Sequence, residues 1–297
     1  MYRVTFPGRK EGSNEHLINM TLPFPCEVHL NYPRFKWWRK GNKNFLKDRF
    51  RVLTLYTESV PLKAGIECVK KNLNNFDLIL TNNEKFFEID KVYPSICTFG
   101  GTVPSLSPLN PVFPKTFSIS NLYSAGATSK LKWSDPMEFD GYKLRELFWK
   151  NKELIKIKKN FYTSSKREPN VPDKNPYPYS YKDEIMESMF TLVIENTFES
   201  NWFTEKIIDC FRTYTVPVYF GCKNITQYFN KDGMILPTSM DDAINKINSL
   251  NEYSYEKMGN AIIDNFLRAK RYNSHMDLMT RYILEGKDWL ENSHISK

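Results

Sequence analysis

The chain has 297 residues, 41% hydrophobic and 26% charged, with a net charge of +8. That balance excludes a disordered or low-complexity chain, and no apolar run approaches membrane-spanning length. The five cysteines (26, 68, 97, 210, 222) are odd in number and form no C-x-x-C pair, which argues against a disulfide framework or structural zinc and fits reduced thiols in the cytoplasm.

Met1–Phe6 reads as a strand start rather than a secretion signal. The stretch Arg34–Arg51 carries eight basic residues and one acidic, interleaved with Phe35, Trp37 and Trp38. It is either a solvated basic face or a grip for an anionic polymer. Phe50–Thr57 is a strand by its β-branched and aromatic content, Gly65–Leu73 has a helical pattern, and Phe76–Thr81 is a short apolar run typical of a buried strand. Glu84–Phe87 starts a short helix. This alternation predicts a parallel sheet.

Four prolines within Thr102–Pro114 preclude a helix and mark a stiff connection. The predicted domains are therefore residues 1–112 and 113–297. The second opens with a strand at Lys115–Asn121, followed by a helix over Phe139–Ile157 with Leu144, Leu147 and Phe148 as its apolar stripe. Lys143–Arg167 is a second basic stretch, and prolines 169, 172, 176 and 178 mark a surface loop. Tyr181–Ser188 is a helix or turn. Then come a buried strand, Met189–Glu195, a helix, Thr204–Thr213, and a strand, Thr215–Phe220. A short helix at Ile225–Phe229, a strand at Met234–Leu236 and a helix at Asp241–Leu250 lead to two long amphipathic helices, Tyr253–Arg271 and His275–Glu291. The expected fold class is α/β, with two Rossmann-like domains facing each other across a cleft. Ligands of such sheets sit at the carboxyl ends of the strands.

The densest chemistry lies in Phe190–Leu236. Thr204 is a good N-cap, and Asp209 suits the positive end of the helix dipole. Lys206 does not suit it, unless a phosphate meets the helix N–H groups and the ammonium together; the alternative is a solvated surface lysine. Glu195 and Asn196 end a buried strand. They either face a crevice, where a carboxylate accepts from ribose hydroxyls, or simply form a turn. Trp202 and Phe203 are a stacking face or core cover. Pro217 confines its strand to an edge or to the start of its pairing, and Gly221 permits a sharp turn or close approach by a ligand. Asp241-Asp242 reads as dipole pairing at a helix start, and the four scattered histidines suggest no metal site.

These residues resemble the signature of the α-1,3-fucosyltransferases of glycosyltransferase family 10. That signature reads F-x-x-x-x-E-N-(S/T), then Y-(V/F)-T-E-K, then (V/I)-P-(V/I)-Y-x-G. Phe190, Glu195, Asn196 and Thr197 match its first part. Thr204, Glu205, Lys206, Ile207 and Asp209 match the second, and Val216, Pro217, Val218, Tyr219 and Gly221 the third. Trp202 stands where the family usually has Tyr. The match covers about Lys115–Leu250 and fades over the first domain.

The resemblance implies a GT-B fold with the donor on the C-terminal domain, GDP-fucose as donor, inversion at the anomeric carbon, a glycan acceptor, no cofactor and no essential metal. Lys206 and Arg145 would neutralise the diphosphate, and Glu205 and Asn196 would hold ribose or fucose hydroxyls. Glu195, Trp202 and Thr204 complete the donor-binding set. The family takes its catalytic base from an N-terminal glutamate near a Glu-Ser-Pro element. Here Glu58-Ser59-Val60-Pro61 has one residue inserted, and Glu58 is the chosen base, with Glu67 a rival. The alternatives are another nucleotide sugar, a nucleic-acid acceptor gripped by the basic Arg34–Arg51 segment, or a non-catalytic binding module on the same fold.

Overall fold

The computed structural model describes residues 2–5, 15–18, 22–29, 48–55, 70–71, 73–96, 114–124, 141–164, 175–179, 181–272 and 275–295. The chain divides into two compact units. One is Met1–Gly100 together with Ser274–Lys297, and the other is Gly101–Asn273.

The first unit holds six strands: β1 (Tyr2–Thr5), β2 (Glu15–Ile18), β3 (Cys26–His29), β4 (Phe50–Leu55), β5 (Leu78–Thr81) and β6 (Val92–Pro94). They lie in the order β2-β1-β3-β4-β5-β6. Only β2 runs antiparallel to its neighbour. Leu53, Leu55, Ile79 and Val92 pack with Phe76, Phe86 and Ile89 into one core cluster. The predicted apolar runs give strands over Phe50–Leu55 and Leu78–Thr81 because β4 and β5 are flanked on both sides in the sheet, where continuous burial suits them.

The second unit contains β7 (Thr116–Tyr123), α1 (Gly141–Lys150), β8 (Lys159–Thr163), β9 (Ser188–Ile194), α2 (Glu205–Arg212) and β10 (Val216–Phe220). Helices α3 (Met240–Asn248), α4 (Glu252–Lys257) and α5 (Gly259–Ala269) follow. The sheet is parallel throughout, in the order β10-β9-β7-β8. The chain leaves β7 for β8 on one side, then crosses back to β9 on the other. The switch point of the sheet therefore lies between β7 and β9, at their carboxyl ends. The main core gathers Ile119, Phe148, Phe190, Leu192, Val218 and Ile247 with their neighbours.

Pro217 sits in the outermost strand, as expected of a residue without an N–H. Its carbonyl accepts from Ile235 N at 2.9 Å, and Tyr219 N donates to Ile235 O at 2.9 Å. Pro217 and Tyr219 thus face the outer edge together. The predicted strand at Met234–Leu236 reduces to this single bridge.

Several elements differ from their predicted form. Strand β8 is absent from the predicted set, because KNFYT carries a lysine and an asparagine and shows little alternation. Helix α1 is shorter than Phe139–Ile157, and Leu147 is exposed. Phe148 is buried and Leu144 packs against the core as expected, and Arg145 and Trp149 join them on the buried face. The predicted helix Tyr253–Arg271 breaks at Met258 into α4 and α5. Helix α4 starts at a capping box between Asn251 and Ser254.

The last helix, α6 (His275–Ile295), clusters with the first unit, whereas the predicted second domain runs to residue 297. Leu278, Met279, Ile283 and Gly286 form its buried stripe. A Cβ at Gly286 would meet Leu78 Cδ2 at 2.8 Å, so a larger residue there would require the Leu78 side chain to shift. Trp289 meets Tyr93 at 5.8 Å between ring centroids. The proline-rich connection at residues 102–113 lies outside the described residues.

Lys115, at the amino end of β7, is largely enclosed. Its Nζ donates to the Met186 carbonyl and, at 2.6 Å, to Thr215 Oγ1. Burial pushes its pKa down from 10.5 to about 7. The unfolded chain therefore holds a proton that the folded chain lacks between about pH 7 and 10.5. Stability should rise with pH across that window, by at most about 1.4 kcal/mol per pH unit from this group. Lys115→Met should remove that slope in denaturant melts between pH 7 and 10. An unchanged slope would show that Lys115 keeps its proton on folding.

Candidate functional site

A hollow of about 160 Å³ opens at the carboxyl ends of the second sheet, at its switch point. Ser124 lies just past β7, Ser164 just past β8, and Ile194 ends β9; all three line it. Three cations from three separate segments also line it: Arg145 from α1, Lys182 from the turn before β9, and Lys206 from α2. Glu205 is the one acidic residue in the lining.

Arg145 reaches the hollow because α1 presses on the end of β9. Gly141, its first residue, donates through N to Asn196 O at 3.3 Å. A Cβ at Gly141 would fall 1.8 Å from Glu195 O, inside the backbone. Gly141→Ala must therefore push α1 off β9, at a cost of about 2–3 kcal/mol. Arg145 would move with the helix. Chemical melts should show that loss, together with weaker anion binding; a neutral Gly141→Ala would mean that the helix end is not pinned.

Once placed, Arg145 is 8% exposed. Its Nε donates to Ile194 O at 3.0 Å, and Nη2 donates to the same carbonyl and to Asn196 Oδ1 at 2.6 Å. Its guanidinium carbon stands 5.0 Å from the Tyr142 ring centroid. These acceptors are neutral. Three of its N–H donors are engaged in this way, which holds the planar guanidinium in one orientation in the lining of the hollow.

Glu195 organises the start of α2. It is fully buried and accepts from Thr204 N at 2.9 Å and from Thr204 Oγ1 at 3.0 and 2.7 Å. Lys206 Nζ adds a contact at 3.3 Å to Glu195 Oε2 and donates to Thr204 Oγ1 at 2.9 Å. Thr204 caps α2 in extended backbone, its hydroxyl accepting from Lys206 N. The segment 195–204 is thus a closed loop that aims the first turn of α2 at the hollow.

A chain of ion pairs continues from there. Glu205 Oε1 lies 3.5 Å from Lys206 Nζ and 3.8 Å from Lys182 Nζ. Lys182 Nζ is 3.1 Å from Asp209 Oδ2, a carboxylate with no exposed surface. Burial works against ionised Glu205, but Lys206 and Lys182 outweigh it and hold its pKa below the ordinary value. Burial likewise opposes charged Lys182, and Asp209 and Glu205 outweigh it and raise its pKa. Both side chains are charged at neutral pH.

The structure brings Arg145, Asn196, Glu205 and Lys206 of the predicted donor set together at or beside this hollow. Glu195 and Trp202 take other positions. Glu195 does not face a crevice, because Thr204 folds over it and occupies both of its oxygens. Trp202 is 3% exposed and offers no open ring face. Its neighbour Phe203 lies in an aromatic cluster, 5.4 Å from Phe229 and 5.2 Å from Tyr272 between centroids. Gly221 does make room, but for protein rather than ligand: a Cβ there would meet Tyr219 Oη at 2.4 Å and Glu195 Cγ at 2.6 Å. Asp209 is a buried partner of Lys182 rather than an exposed complement to the helix dipole. Lys182 is the lining cation that sequence reasoning missed. Glu58 and Glu67, and the basic stretch from Arg34 to Lys47, lie outside the described residues.

Among the described residues, no group of three or more His, Cys, Asp or Glu side chains could hold a metal ion. No helix among them is long and apolar enough to cross a membrane. The thiols of Cys26, Cys210 and Cys222 are buried, and burial pushes them up to about 12, 12 and 11.

Comparison with known proteins finds a likeness over part of the chain. A stretch of 87 residues, 28% of this chain, is 32% identical to the alpha-(1,3)-fucosyltransferase FucT of Helicobacter pylori. The chain spans 17% of the length of that relative. No family profile matches. Among solved structures, an alpha1,3-fucosyltransferase superposes with a TM-score of 0.47 at 16% identity, covering 80% of this chain and 69% of that one. A complex of alpha1,3-fucosyltransferase with GDP-fucose gives 0.44 at 15%, covering 84% and 85%. An alpha-glucosyltransferase bound to UDP and a 13-mer DNA gives 0.41 at 14%, covering 90% and 80%. With TM-scores below 0.5, these structural matches carry no further weight.

Proposed function

We propose that the chain is an inverting glycosyltransferase of the α-1,3-fucosyltransferase kind, and that the hollow holds the diphosphate of GDP-fucose. The observation that carries this reading is the meeting of Arg145 and Lys206 with the N-terminus of α2 at the switch point of a parallel sheet. Guanidinium, ammonium and helix N–H groups there share one focus, which suits a diphosphate. The local sequence match to a fucosyltransferase supports the choice of sugar and nucleotide.

In this reading the acceptor hydroxyl oxygen attacks the anomeric carbon of fucose from the face opposite the diphosphate. The new glycosidic C–O bond forms as the bond to the phosphate oxygen breaks. The hydroxyl proton passes to Glu58, the proposed base, and GDP leaves with its added charge held by Lys206 and Arg145. Asn196 and Glu205 hold sugar or ribose hydroxyls. No step calls on a cofactor or a metal. The acceptor is a glycan hydroxyl.

A panel of nucleotide sugars, assayed for hydrolysis and for transfer to simple sugars, tests the reading. Turnover of GDP-fucose above the UDP- and ADP-sugars supports it. Preference for a UDP-sugar would move the chain to another donor class, and donor binding without turnover would make it a binding module. Retention of affinity for duplex or single-stranded DNA at moderate salt would redirect the acceptor to nucleic acid.

A further inference from the structure

The charges around the hollow cancel. Against Arg145, Lys182 and Lys206 stand Glu195, Glu205 and Asp209; the carboxylates pair with the two lysines, and Arg145 donates to the neutral acceptors described above. A diphosphate entering such a balanced site would meet the carboxylate of Glu205, which lines the same space as the two lysines. Either Glu205 repels the ligand, or another cation must hold its charge once Lys206 turns toward a phosphate.

We propose that Lys182 is that cation: a positioning residue that, anchored on buried Asp209, takes over Glu205 as its counter-ion and so releases Lys206 to a ligand phosphate. The geometry already has the exchange half made. The same oxygen, Glu205 Oε1, lies 3.5 Å from Lys206 Nζ and 3.8 Å from Lys182 Nζ. A shift of a few tenths of an ångström passes it from one to the other. Lys182 cannot swing away freely, because Asp209 has no exposed surface and holds it at 3.1 Å. Lys206 is the more exposed partner: its side chain is 26% exposed against 18% for Lys182, and both line the hollow. The upward shift of Lys182 and the downward shift of Glu205 are consistent with two permanently charged partners.

The inference rests on the hollow being an anion site, and pyrophosphate is the probe that separates the two claims, because it carries no hydroxyls for Glu205 to hold. Calorimetric titration of pyrophosphate into the wild-type protein should show binding. Lys182→Gln should weaken it about 5- to 20-fold, through the loss of one charge-assisted partner near the site. Lys182→Arg should recover most of that affinity. The decisive variant is the double substitution Lys182→Gln/Glu205→Gln: with the carboxylate neutralised, no counter-ion is needed, and affinity should return to the wild-type level or above. Thermal melts of each protein confirm that it is folded under the titration conditions. A structural role for Lys182, confined to pairing Asp209, predicts a drop in melting temperature and no rescue by Glu205→Gln, and that result would overturn the proposal. Wild-type protein that ignores pyrophosphate would remove the anion site itself, and this inference with it.

Discussion

Lys206→Ala should lower the affinity for GDP about 10- to 100-fold, a loss equivalent to one charge-assisted contact of about 1.5–3 kcal/mol. The ammonium stands at the first turn of α2, where the dipole alone disfavours a cation. Its neighbours Glu195, Glu205 and Thr204 hold it there, and a phosphate would engage it together with the helix N–H groups. The substitution also removes a partner from buried Glu195, so a drop in melting temperature should accompany the loss of binding. Lys206→Arg separates the two effects: a second cation at that position should keep more of the affinity than of the fit. Calorimetry at a temperature where each variant is folded reads the outcome. Unchanged GDP affinity in folded Lys206→Ala would take the phosphate role from this residue.

Glu195→Ala should be the most damaging single change for stability, costing about 3 kcal/mol. Three donors converge on this carboxylate: the N–H and the hydroxyl of Thr204, and the Lys206 ammonium. Thr204 is 4% exposed, so its donors would be left without water. A cavity would also open beside Gly221, where a built Cβ would stand 2.6 Å from Glu195 Cγ. Glu195→Gln should cost less, because an amide keeps the acceptor toward Thr204 N. Urea melts of both variants test this order. Equal stability of Glu195→Ala and wild type would show that the closure of loop 195–204 does not depend on the carboxylate.

The start of α2 was legible in the sequence because its chemistry is local. Lys206 is out of place at a helix start, and Thr204 is a good cap; both facts need only the order of neighbours. Strands β9 and β10 were legible as apolar runs, and Pro217 as an edge residue. What stayed hidden depends on the third dimension. A strand-end glutamate can face a crevice or fold under its own loop, and nothing in Glu195-Asn196-Thr197 chooses between them; Thr204 chooses, nine residues on. Trp202 beside a cap could stack on a ligand or sink, and the aromatic cluster around its neighbour Phe203 goes with its sinking.

Lys182 carried no signal at all. It precedes β9 rather than following a strand, in a segment legible only as helix or turn, and its partner Asp209 is 27 residues away. Helix α6 was visible as an amphipathic helix, but its allegiance to the first unit was not. That allegiance comes from the fit of Gly286 on Leu78 and of Trp289 beside Tyr93, which sequence order does not reveal. Strand β8 shows the remaining limit. Its lysine and asparagine mask a strand that exists because β7 pairs with it along five residues.

A crystal structure of the protein with GDP tests the central claim most directly. The account predicts the diphosphate in the hollow beyond β7 and β9, within hydrogen-bonding distance of the Arg145 guanidinium and Lys206 Nζ, at the N-terminus of α2. A diphosphate bound elsewhere on the chain, with Arg145 and Lys206 still paired as described and the hollow filled only by water, would contradict it.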